Sequence, residues 1–227
     1  YATGEIVLVM AGILLALQID NWNEARKDRN TEEQYMNRLL YDLQNDTSYF
    51  SSQILLCERA ISHLDSFLVE MYIAPESPDD VYRIIKHSAL QTDDLTLKNS
   101  TYEELISTGS MNIFSDQNIK AAIMDYYHLG EELASQIKEF NLFSTRVMTD
   151  AMAKVPSFSH LLLRRLQYEL GMELFKDPSS DKFLAVEHTI AIYRLRNSED
   201  LVHFQELKIA AEQLIIQIQN ASLRKKQ

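Results

Sequence analysis

The chain contains one cysteine (Cys57), four prolines and five glycines among 227 residues. A lone cysteine excludes an internal disulfide framework and every metal site built from several cysteines. So little proline and glycine argues against a many-turned all-β fold, which needs both residues for its punctuation. Basic residues are the minority: 22 Lys and Arg against 33 Asp and Glu leave a formal charge of −11. That acidity argues against nucleic acid as a partner, since phosphates are repelled. What is present is ordinary for a folded protein, with 46% hydrophobic and 24% charged residues, so general disorder is excluded. The length suits one domain or two small ones. The expectation is an all-α fold.

The most apolar stretch opens the chain. From Ile6 to Leu17 no side chain is polar, and between Ala2 and Ile19 only Thr3, Glu5 and Gln18 interrupt. As a helix these residues reach about 27 Å, against a hydrocarbon core of roughly 30 Å. Because the chain begins at Tyr1 rather than Met, the span is expected to extend upstream. Trp22 stands where the run ends and suits the headgroup boundary. A signal peptide would need a basic start and a small-residue cleavage site, and neither is visible. A buried core helix is seldom apolar on every face. Residues 1–23 are therefore expected to form a transmembrane helix whose partner is the lipid bilayer. Gly4, Leu8, Gly12 and Ala16 form an i+4 ridge, small at three of its four positions. Such a ridge lets helices approach closely, so it is the expected packing face toward another membrane subunit or a second copy. Gly and Ala are also common in spans without packing there. Glu5 and Gln18 are the candidate intramembrane polar groups. A carboxylate at depth needs a proton, a partner or a polar cavity, whereas near the headgroups it costs little.

Several of these residues carry a resemblance. Gly4 to Val9, Gly12-Ile13-Leu14, Ala16 to Ile19 and Asn21 to Glu24 resemble the start of an uncharacterised membrane-protein family of Bacteroidetes. Thr101-Tyr102-Glu103-Glu104-Leu105 with Ser107 and Gly109, then Ile119 to the pair Tyr126-Tyr127, resembles a second segment of it. Asp20 stands where that family usually has Asn. The resemblance implies a cytoplasmic N-terminus and a C-terminal domain in the periplasm, outside the inner membrane; it implies no activity and no catalytic residue. The positive-inside rule applied to Arg26, Lys27, Arg29 and Arg38 points the other way.

Beyond the opening run, three apolar seams recur at steps of four and three. The first passes through Met36, Leu40, Leu43, Thr47, Phe50, Ile54, Cys57, Ile61, Leu64, Leu68 and Met71. The second runs from Ile119 through Tyr126, Gly130 and Ile137 to Ala151, and the third from Ile190 through Asn197 and Phe204 to Ala221. Such seams predict long helices that bury one face against neighbours or a second copy. The four prolines, Pro75, Pro78, Pro156 and Pro178, fall between them. Helices are expected at 24–74, 78–91, 101–108, 115–154, 159–176 and 181–222. Ser77-Pro78-Asp79-Asp80 would start the second of these, Thr101-x-x-Glu104 would serve as a capping box, and Gly109 would close the third. Ser198-Glu199-Asp200 carries a capping pattern that would break the last helix near Asn197. The resulting architecture is an N-terminal transmembrane helix continuing into an elongated antiparallel helical bundle. Its parts are a span at 1–23, a rod leaving the membrane at 24–74, a helical cap at 75–114, returning helices at 115–222 and a basic tail at 223–227.

Chemistry-bearing motifs are scarce. The chain lacks H-E-x-x-H, a phosphate-binding glycine loop and a nucleophile elbow. Asp125-x-x-His128 and Asp200-x-x-His203 superficially resemble bundle metal motifs, which need inward Glu and His. His128 lies off its seam, and exposed or satisfied histidines are expected. Cys57 is expected in the core as a small hydrophobe. Arg164-Arg165 and Arg224-Lys225-Lys226 are basic spots, and the tail would meet anionic headgroups only if the last helix descends to a membrane. No catalytic residue, metal or cofactor is expected. The functional expectation is a membrane-anchored binding or scaffold protein, an accessory subunit of a bacterial envelope complex. The alternative is an extracytoplasmic helical module that senses a ligand.

Overall fold

The computed structural model describes residues 2–87, 89–90, 93–156, 158 and 168–224, and the side chains of these except 2–9, 11 and 168–171. Among the described residues every regular element is helical. These are α1 (Ala2–Glu70), α2 (Pro78–Ile85), α3 (Ser100–Ser107), a 3₁₀ turn (Ser110–Ile113), α4 (Gln117–Lys154), α5 (Tyr168–Phe175) and α6 (Asp181–Arg224). The all-α expectation stands on these elements. The chain divides into two compact units, each with its own core. The first is built from Tyr1–Asn45, Lys98–Tyr127 and Ala211–Gln227, the second from Asp46–Leu97 and His128–Ala210.

The seams explain the long helices, with one shift of register. On α1 the positions Met36, Leu43, Phe50, Cys57, Leu64 and Met71 are buried. The alternate positions Leu40, Thr47, Ile54, Ile61 and Leu68 are only half-buried. The other buried line lies one residue earlier, at Glu32, Leu39, Asp46 and Phe67. Both lines keep the four-three spacing, but acidic residues occupy part of the true one, so counting apolar side chains placed the stripe one position off. The seams of α4 and α6 lie where the spacing puts them, and α6 passes through Asn197 unbroken. There the Ser198 hydroxyl donates back to the carbonyl of Arg194 at 3.1 Å instead of capping a new helix.

In the first unit, α3 and the following turn dock onto α1. Gly109 at φ 69° provides the left-handed residue that ends this helix, as its position suggested. Thr101 and Glu104 form no capping box. Asn99 occupies the cap position, and both side chains face α1 instead.

In the second unit, α1 and α6 run antiparallel. Phe50 packs near Phe204 (ring centroids 6.3 Å apart), Arg194 Nε donates to Asp65 Oδ1 at 2.7 Å, and Tyr72 meets Phe183 at 5.0 Å. A core of Leu64, Phe67, Met71, Ile84, Val155, Phe175, Phe183 and Tyr193 joins α1, α2 and α6 to the ends of α4 and α5. In this unit α4 runs in the same direction as α1: Gly130 lies against Leu97, Asn141 bonds to Asp93, and Met148 meets Tyr193. The expected helical cap and returning second rod are thus replaced. Helix α2 stops at Ile85, and residues 89, 90 and 93–97 are an irregular strand-like path back along α1. Extended chain advances about 3.3 Å per residue against 1.5 Å in a helix, so a short strap retraces a long helix. Its Thr and Asp residues favour such non-helical backbone.

The helix start expected at 159, His160, Arg164-Arg165 and the tail residues Lys225-Lys226 lie outside the described residues, as do the side chains of Gly4, Glu5 and Leu8. Among the described residues no helix is long and apolar enough to cross a membrane.

Candidate functional site

The second unit contains a cleft of about 330 Å³. One wall comes from α1, where Gln53, Leu56, Cys57, Ala60 and His63 recur at helical spacing on one side. A second wall is Arg196, Asn197, Asp200 and Phe204 of α6, and the strap contributes Ala89 and Asp93. The strap is held by Asn141, whose Nδ2 donates to the carbonyl of Asp93 at 3.0 Å and to Asp94 Oδ1 at 2.9 Å.

A buried ion pair lies on the α6 wall. Arg196 Nε donates to Asp200 Oδ2 at 2.9 Å, with side chains only 6% and 3% exposed. Burial raises the Asp200 carboxyl above its usual range, although the Arg196 charge and hydrogen bond pull it back. The second carboxylate oxygen, Oδ1, is buried and has no hydrogen-bond partner. Cys57 faces the same cleft. Burial pushes its thiol up to about 11, and Asp200 adds to that push while Arg196 opposes it. Such a thiol is almost entirely protonated at neutral pH and is a packing group, not a nucleophile.

The sequence motif for a metal does not assemble. Asp125 and His128 are exposed on α4, Asp200 is committed to Arg196, and His203 Nδ1 is buried without a partner. Among the described residues no group of three or more His, Cys, Asp and Glu could hold a metal ion. The cleft itself was missed by sequence reasoning. The available signal was an Arg-x-x-x-Asp pair straddling Asn197 on the third seam, where charge belongs only if it is paired.

In the first unit, the Thr-Tyr-Glu-Glu-Leu segment is a docking device. Thr101 Oγ1 donates to buried Asp42 at 2.5 Å. Glu104 accepts from Tyr35 at 2.9 Å and from Arg38 at 2.6 Å. Tyr102 stacks on Tyr127 with ring centroids 4.3 Å apart, the Tyr127 hydroxyl donates to the carbonyl of Lys98, and Leu105 is fully buried. Thus the two parts of the second resemblance segment, separated in the chain by the 3₁₀ turn, meet. Tyr126 and Tyr127 pack with buried rings, as expected, and the Tyr127 hydroxyl reaches a polar partner.

Of the residues expected in the membrane, Gly12, Ala16, Gln18 and Trp22 are exposed on α1. A Cβ added at Gly12 would meet nothing within 4 Å. The Arg26 guanidinium lies 5.9 Å from the Trp22 ring centroid. Met10, Ile13, Leu14, Leu15, Leu17 and Ile19 are each more than half exposed.

No curated protein and no solved structure matches the chain. A protein-family model does match, over residues 5–132, and carries the description family of unknown function. The matched stretch contains the apolar opening, the α3 docking segment and the tyrosine pair. The chain belongs to this family of unknown function, DUF6090.

Proposed function

We propose that the protein is a membrane-anchored helical binding protein, an accessory or scaffold subunit of a bacterial envelope complex of Bacteroidetes type. Its opening residues cross the inner membrane, its helical units lie in the periplasm, and it performs no catalysis. The observation that carries this reading is the apolar first part of α1. Six large apolar side chains between Met10 and Ile19 stand more than half exposed, and Trp22 does so at the end of the run. An apolar surface of this kind is unfavourable in water and is covered in lipid or by a partner. In this reading Gly4, Leu8, Gly12 and Ala16 form the face toward the partner subunit or a second copy, and Glu5 and Gln18 are the polar groups within the span. Cysteines placed singly at Gly4, Gly12 and Ala16 and oxidised in native membranes test this face. Capture of a defined partner or of a second copy at these positions, and not at Ile13 or Leu17, is the expected result. Failure to capture any helix would remove the packing face.

A second reading, a module that senses a small ligand, is favoured by the cleft in the second unit. The unpartnered oxygen of Asp200 gives that cleft a chemical preference.

A further inference from the structure

We propose that the cleft of the second unit binds a small zwitterionic amine with an apolar body, an amino acid of the size and character of leucine. This goes beyond membrane anchoring and does not depend on it; it supplies the ligand on which the sensing reading rests.

Three observations converge. First, Asp200 is 2% exposed, gives Oδ2 to Arg196, and holds Oδ1 buried without a donor. A buried carboxylate oxygen without a donor is among the costliest polar groups to leave in a fold, and native proteins supply the missing N–H or O–H. Asp200 lines the cleft, and a ligand ammonium seated against it would supply that donor. Second, the charges lining the cleft balance: Arg59 and Arg196 face Asp93 and Asp200. A ligand with net charge would leave that charge uncompensated in a partly desolvated site, whereas a molecule carrying both signs pairs with both. The ammonium suits the Asp200 side, and a carboxylate suits the exposed Arg59. Third, the remaining wall is hydrocarbon. Leu56, Cys57 and Phe204 supply apolar surface, and the short side chains of Ala60 and Ala89 leave room in front of it. A volume of about 330 Å³ is at the small end for ligand sites, which sets the ligand at amino-acid size.

The test is calorimetric titration of the full chain in detergent micelles with three probes: L-leucine, 3-methylbutan-1-amine and 4-methylpentanoate. L-Leucine is expected to bind saturably at one site per chain, and each single-headed analogue at least tenfold more weakly. Asp200→Asn is expected to weaken L-leucine at least tenfold. Because that change disturbs the pair with Arg196, Ala60→Phe provides an independent variant. It fills the cleft from α1 without touching the pair, and should weaken L-leucine at least tenfold with an unchanged melting temperature. The proposal is overturned if L-leucine does not saturate, as when Asp200 Oδ1 holds only water. It is equally overturned if 4-methylpentanoate binds as tightly, or if Ala60→Phe binds like the natural chain. Amide exchange of α6 with and without L-leucine separates the two readings. Binding with unchanged exchange keeps the site and removes sensing, and absence of binding removes the site while leaving the anchoring proposal standing.

Discussion

His87 shows how several neighbours set one titration. Its partial burial disfavours the charged ring, Lys86 and His63 add to that effect, and Glu70, with an oxygen 3.8 Å from Nε2, opposes it. Burial wins, and the ring titrates below its ordinary value of 6.5. The folded state therefore holds this proton less tightly than the unfolded state. Its contribution to stability is fully present above pH 6.5 and is lost as the pH falls through 6.5 toward the lower folded value. Replacing His87 with Asn should flatten the dependence of stability on pH between 7 and 5, measured by urea denaturation at a series of pH values. An unchanged slope would mean that the ring is as well solvated folded as unfolded. The acidic residues Glu32, Asp42 and Asp46 make a related point about burial. Asp42 and Glu32 hold inward positions of α1 because the Thr101 hydroxyl donates to the first and the Ser115 backbone N–H to the second. Such partners, contributed by distant segments, are invisible to a count of apolar spacing.

Among the elements, α3 shows the difference between a helix's existence and its use. A Thr-x-x-Glu pair before an apolar residue is a legitimate start signal. Here the helix forms one residue earlier, and the pair is free to hold α1. Thr101→Val keeps the shape of the side chain and removes the hydroxyl that donates to Asp42, leaving a buried carboxylate short of a hydrogen bond. The expected cost is about 1–3 kcal/mol, read from denaturant unfolding and from faster amide exchange in α3. Glu104→Gln, on an exposed ion pair, should change stability far less. If Thr101→Val proves neutral, the contact to Asp42 does not secure α3. The long helices were legible because their seams are regular over many turns and their ends carry Pro, Ser and Gly signals. The strap at 89, 90 and 93–97 was not, since an irregular segment has no period, and its contacts with Asn141, Gly130 and the cleft wall of α1 show that it lies along the unit.

At the scale of the whole molecule, the two units divide the functional readings. The family match covers the apolar opening and the α3 dock, whereas the α6 wall of the cleft lies beyond it. Anchoring and ligand binding are therefore separable by experiment. Expressed in a bacterial host, the chain should stay in the membrane pellet after alkaline carbonate extraction. Replacing Leu8, Leu14 and Leu15 with Lys should move it to the supernatant, because charge at mid-span is disfavoured by several kcal/mol per residue. Complete extraction of the unaltered chain would sink the anchored reading.

Composition and spacing alone were enough for the helical class, the long helices and the inward faces of α4 and α6, because these depend on local periodicity and on residues next to one another in the chain. Direction of packing and placement of charge were settled only by contacts between segments remote in sequence. The strap reverses the course expected of α4, Thr101 turns from cap to clasp, and Arg196 with Asp200 is a buried pair in the wall of a cleft, its remaining carboxylate oxygen without a partner. A buried charge is tolerated only where some other segment answers it, and which segment does so is a property of the folded chain.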